Sequence, residues 1–170
     1  MRHNPERQLI RHFLAAIAYR TQKAVRNAPE TYWTFAAGKQ VRTPIEILRH
    51  MTSVLGYART LFIGGDYPVQ PKVLPGVDAE IGRLYEIIED LGQLLEGEAS
   101  LHEITEEQLL QGPLSDAMTH VGQLALLRRL HGSPVPPENF VYADISATRL
   151  GKDQPGPRRP DKEWPERPTT

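Results

Sequence analysis

The sequence predicts an all-α protein, a four-helix bundle with long connections and a proline-rich extended C-terminal tail. Three observations predict it. Four segments repeat apolar residues at three- and four-residue steps, strand-type alternation is weak throughout, and proline crowds the end of the chain. Residues 1–150 read as the bundle domain and residues 151–170 as the tail. At 170 residues, with 39% hydrophobic and 24% charged residues, the chain has the size of one domain and buries about two-thirds of its unfolded surface.

The first helix opens at Asn4-Pro5, a capping residue followed by proline at the first helical position. Leu9, Ile10, Phe13, Leu14, Ile17, Thr21 and Ala24 form its stripe, and Pro29 sets its limit. The second opens at Thr43-Pro44-Ile45-Glu46, where Glu46 is placed to complete a capping box. Ile47, His50, Met51, Val54, Ala58 and Leu61 follow on one face before Gly64-Gly65. The third starts near Asp78, carries Ile81, Leu84, Ile88, Leu91 and Leu95, and stops at Gly97. The fourth starts around Pro113, carries Leu114, Ala117, Val121, Leu124 and Leu127, and ends in Arg128-Arg129 before Gly132. Tyr32–Phe35 and Phe140–Tyr142 are aromatic but short for strands. Of the 15 prolines, eight lie at or beyond Pro134. Proline removes a backbone donor and breaks helix interiors, so regular structure is expected to end near Gly132.

Charge limits the function classes. Twenty basic and 21 acidic residues give a net charge of -1, which argues against broad nucleic-acid binding. No apolar run reaches the length of a membrane span, the N-terminus does not read as a secretory signal, and the chain has no cysteine. A cytoplasmic location is the expectation, with no disulfide, thiolate metal site or cysteine nucleophile. Residues 1–26 hold six basic residues and one acid, whereas residues 76–110 hold ten acids and only Arg83 as a base. That pattern fits antiparallel packing with complementary sign.

Polar residues inside the apolar stripes point to a site. His50 lies mid-stripe on the second helix. On the fourth helix, at 100° per residue, His120 lies near the centre of the apolar side and Asp116 about 40° away, one turn earlier. Such a pair has Cβ atoms about 5–6 Å apart and can share one ion. A carboxylate aimed at a core needs a partner or a metal, and a buried imidazole must satisfy both ring nitrogens. One cation held by His50, Asp116 and His120 meets all three needs and keeps open coordination positions. The plainer reading pairs each histidine with backbone or a neighbour, and makes Asp116 a first-turn acid favoured by the helix dipole. Gln123, one turn beyond His120, is placed to support that ring or to bond within the core. His3 lies before the first helix, His12 lies in it without a carboxylate at helical spacing, and His102 lies in a connection. His131 suits the negative end of the dipole, Glu46 suits its cap, and Tyr19 and Tyr57 suit the core edge or donation to a bound oxygen.

These residues resemble the DinB-like superfamily of metal-binding four-helix bundles, over about residues 5–150. Arg42-Thr43-Pro44-Ile45-Glu46-Ile47-Leu48-Arg49-His50-Met51 looks like the family's second helix with its metal histidine. Asp116-Ala117-Met118-Thr119-His120-Val121-Gly122-Gln123 looks like the late helix, and Leu127–Pro134 is similar to its continuation. Members often carry histidine where Asp116 stands, although a branch of thiol-dependent isomerases has a carboxylate there. The resemblance implies a homodimer and an enzyme that transfers a low-molecular-weight thiol or carries out metal-assisted hydrolysis on a small-molecule substrate. A divalent ion lowers the pKa of a bound thiol or water, and the lack of cysteine leaves the sulfur to the cosubstrate. Zn²⁺ is the first choice, with Ni²⁺, Fe²⁺ and Mn²⁺ compatible with imidazole plus carboxylate. The competing class is a non-catalytic homodimeric bundle of a stress or damage response, whose polar core fixes helix register. No phosphate loop, G-x-S-x-G or H-E-x-x-H motif is present.

Overall fold

A computed structural model of the chain describes residues 4–97 and 99–159. It is an all-helical bundle without a β-strand among these residues. The helices are α1 (Pro5–Val25), α2 (Pro44–Ile63), α3 (Val77–Glu96), the short α4 (Glu106–Leu109) and α5 (Ser115–Leu130). Local chemistry accounts for their starts. Asn4 Oδ1 accepts from the Glu6 and Arg7 amides at 3.0 and 3.2 Å. A Glu46 carboxylate oxygen accepts from the Thr43 amide at 2.7 Å and from its hydroxyl at 2.9 Å. Both caps are followed by proline at the first helical position, where a missing N–H costs nothing.

The fourth helical segment begins earlier than expected. Thr105 and Gln108 form a capping box, with the Gln108 side chain accepting from the Thr105 amide at 2.9 Å and Thr105 Oγ1 accepting from the Gln108 amide at 3.3 Å. A π turn over Leu110–Leu114 then carries the chain into α5. Pro113 lies inside that turn, and Gly112 leaves helical geometry there. Tyr32–Phe35 is no strand either. A 3-10 turn at Glu30–Tyr32 drops Tyr32 and Trp33 into the core, where the Tyr32 hydroxyl donates to the Leu124 carbonyl at 2.8 Å.

The helices form a closed ring. α1 packs beside α3 and α5, α2 also packs beside α3 and α5, and α1 is therefore diagonal to α2. Ion pairs give the directions. Arg7 near the start of α1 bonds the Ala99 carbonyl just past α3, and Arg11 pairs with Glu96 at 2.9 Å, so α1 and α3 run antiparallel. This is the basic-to-acidic pairing that the charge pattern suggested. Arg49–Glu80 and Arg59–Asp90, at 2.7 and 2.9 Å, make α2 and α3 parallel. The connection between them must run back along the bundle, which explains why it is too long for a hairpin.

Leu14, Ile17, Leu48, Met51, Leu55, Leu84, Ile88, Leu91 and Leu124 fill the centre. Leu9 was expected in the stripe of α1 but is 73% exposed. It is one residue, or about 100°, from the buried Ile10. Beyond α5 the described residues form no further α-helix and run through loops and turns, with a 3-10 turn at Phe140–Tyr142. Leu150 packs into the space left by Gly92 on α3. Gln154 is buried, and Arg26 donates to its carbonyl at 2.6 Å. The described part of the expected tail therefore lies against the end of α1, and residues 160–170 lie outside the described residues. No helix among the described residues is long and apolar enough to cross a membrane.

Candidate metal centre

The neighbouring placement of α2 and α5 brings His50, Asp116 and His120 together. Each offers a ligand atom, and these atoms lie within 4.8 Å of one another. His120 Nε2 is 3.4 Å from Asp116 Oδ1, and His50 Nε2 is 4.0 Å from Asp116 Oδ2. The imidazole rings meet edge to face, with centroids 4.6 Å apart. These separations exceed the roughly 2.7–2.9 Å of a charge-assisted hydrogen bond. Ligands bound at about 2.1 Å to a tetrahedral ion stand about 3.4 Å apart.

The fit to a cation is tested most sharply at His120. Its ring is 7% exposed, and Nε2 is buried without a hydrogen-bond partner. Nδ1 lies 2.9 Å from Gln123 Oε1. With the amide oxygen assigned to that contact, Gln123 can only accept, so Nδ1 carries the proton. When Nε2 is unprotonated, its lone pair faces the Asp116 carboxylate. Two acceptors in that arrangement repel unless a positive species lies between them, and an imidazole so held presents a metal-ligating nitrogen. Gln123 thus takes the supporting position that its spacing allowed.

The site is less enclosed than the apolar stripes implied. The Asp116 side chain is 49% exposed and that of His50 is 26% exposed. Asp116 lies on the rim of the apolar side, so the cost of aiming a carboxylate into the core does not arise in full. His50 is held below its ordinary pKa by burial, then by the charges of Arg42 and His120, against an opposing pull from Asp116. A neutral imidazole is the form that ligates metals.

Two clefts adjoin the centre, one at His50 and the other at Asp116. One, of about 580 Å³, is lined by His50 together with Arg42, Glu46 and Arg49. The other, of about 670 Å³, is lined by Asp116, Tyr57 and the π turn. Of the other sequence candidates, Tyr19 is committed to Glu138, to which it donates at 2.7 Å. Glu46 holds its cap. Tyr57 is exposed beside the second cleft. His12 is exposed, and His102 sits in a connection, its amide donating to the Leu61 carbonyl. His131 is braced by Thr31 and Ser133 at 3.1 and 3.0 Å. His3 lies outside the described residues.

A buried ion cluster escaped the sequence reading. Glu80 is 1% exposed and accepts from Arg49, Arg83 and the Leu74 amide. Glu80 and Arg83 stand at i and i+3, and Arg83 is the lone base in an acidic run, which was the available signal. The cluster anchors Arg49, the residue before His50, and the connection between α2 and α3. The chain matches no family model, no curated protein and no solved structure.

Proposed function

We propose that His50, Asp116 and His120 bind a divalent metal ion and that the chain is a metal-dependent enzyme of the DinB-like type, acting on a small-molecule substrate. The observation that supports it best is the buried, unpartnered Nε2 of His120, turned toward Asp116 and His50 while Gln123 occupies the opposite nitrogen. Two imidazoles and a carboxylate suit Zn²⁺ first and Ni²⁺, Fe²⁺ or Mn²⁺ after it. Such an ion supplies Lewis acidity that turns a thiol or a water into a nucleophile at neutral pH. The protein's own residues do the rest. Gln123 orients His120, the Arg49–Glu80 pair braces α2 beside His50, and the clefts at His50 and Asp116 give reactants access. Transfer of a low-molecular-weight thiol and hydrolysis both use this arrangement, and the family resemblance favours these two reactions. The same resemblance suggests a homodimer, and the lack of cysteine suggests a cytoplasmic setting.

A purely structural triad, as in a non-catalytic stress-response bundle, gains register specificity from burial. The half-exposed Asp116 and the two adjoining clefts favour the metal reading over it. Elemental analysis of protein purified without a nickel column tests the proposal. About one equivalent of metal is expected in the wild type and almost none in His120→Ala, from the loss of one of three ligands. No metal in either protein, with unchanged stability, overturns it.

A further inference from the structure

We propose that the cleft beside His50 binds a carboxylate-bearing small molecule with an aliphatic body, its anionic group received by Arg42 and Arg49. The inference deepens the metal reading by naming a substrate class for that site. The cleft combines exposed aliphatic side chains with two guanidinium groups. Val41, Val69 and Val73 line it while remaining 47%, 80% and 60% exposed. Aliphatic side chains gathered around one concave surface mark a place where apolar groups are covered by a ligand. The cationic part is equally specific. Arg49 gives Nε to Glu80 at 2.7 Å, which fixes the plane of its guanidinium at the wall of the cleft. Arg42 makes no hydrogen bond or ion pair among the described residues, yet its charge acts on both His50 and Glu46. The Glu46 carboxylate shares the cleft but is held by the Thr43 amide and hydroxyl.

A guanidinium offers donors in a fixed fork that matches a carboxylate, whereas the valines match an alkyl chain. A ligand that uses both lies with one end against His50, where the candidate centre begins. A volume of about 580 Å³ suits a small organic acid.

Titration of the full chain with hexanoate, followed by amide NMR shifts, tests this, with hexanol as the uncharged control. Shifts confined to the segments around Arg42, His50 and Val69–Val73 are expected for hexanoate, with hexanol at least tenfold weaker. Arg42→Gln is expected to weaken hexanoate about tenfold, the scale of one charged hydrogen bond, and Arg42→Lys to restore part of the loss. Equal binding of acid and alcohol overturns the proposal, as does binding that Arg42→Gln leaves unchanged. His120→Ala separates the two readings. Arg42-dependent binding that survives in this folded variant supports the arginine subsite, whether or not the wild type carries metal. Binding abolished there makes the acid a metal ligand alone and overturns the subsite.

Discussion

At His120 the two ring nitrogens meet different chemistry, an amide oxygen on one side and a carboxylate on the other. Supporting groups of this kind set the tautomer and orientation of a ligating imidazole, and removing one costs about 10–100-fold in metal affinity. Gln123→Ala is therefore expected to weaken metal binding by about that factor while the melting temperature of the metal-free protein stays nearly constant, because Gln123 is exposed. Competition with a chromogenic chelator reads the affinity. An unchanged affinity would reduce the 2.9 Å contact to a surface hydrogen bond. The grouping of Asp116, His120 and Gln123 was legible in the sequence because helical spacing fixes them relative to one another, and His50 joins Asp116 and His120 because its side of α2 faces α5. The exposure of Asp116 was not legible. It depends on how far α5 is rotated against α2, and no local pattern carries that angle.

At the scale of single elements, α2 shows the clearest link from sequence to structure. Thr43, Pro44 and Glu46 act on their immediate neighbours, so the start of α2 needed no knowledge of the rest of the fold. Glu46 is held below its ordinary pKa of 4.5 first by the hydrogen bond from the Thr43 amide and then by that from the Thr43 hydroxyl. A carboxylate with a lowered folded-state pKa contributes stability above its unfolded pKa, and that contribution is lost as pH falls through the folded value. Glu46→Gln is accordingly expected to melt below the wild type at pH 7 and to converge with it in acid below pH 4.5. A gap that persists in acid would place the contribution in packing rather than in charge. α5 shows the opposite case. Pro113 read as a helix start, but the helical path already begins at Thr105 and bends through a π turn. The Thr105–Gln108 box was present in the sequence, but the apolar spacing around it was too brief to register as a helix. Leu9 illustrates the same limit at the start of α1, where the stripe ran wider than the face that the neighbouring helices cover.

For the whole molecule, four helices and the lack of a further α-helix over residues 131–159 could be read from periodicity and proline. Their arrangement could not, because α1 lies diagonal to α2 and parallel to α5. Arg128 shows that direction, donating to the Ala24 and Arg26 carbonyls at 3.1 and 3.2 Å at the shared end of both helices. Which helices become neighbours depends on where the long connections cross, and those segments carry little periodic signal. The C-terminal stretch has a structural share that composition hid. Leu150 fills a space that exists because Gly92 lacks a side chain, and Arg26 holds the chain just beyond it. Leu150→Ala is expected to destabilise the protein by about 2–4 kcal/mol, as for other buried leucines, read as a lowered urea midpoint. A shift near zero would mean that this stretch does not pack on α3 in solution.

The claim on which the functional account rests is that two helices deliver three side chains to one ion. Crystals grown with Zn²⁺, measured on both sides of the zinc absorption edge, test it directly. The account predicts one strong anomalous peak, about 2.0–2.2 Å from a ring nitrogen of His50, a ring nitrogen of His120 and an oxygen of Asp116. Density without a peak between these three residues, or with zinc held only at other histidines, contradicts it.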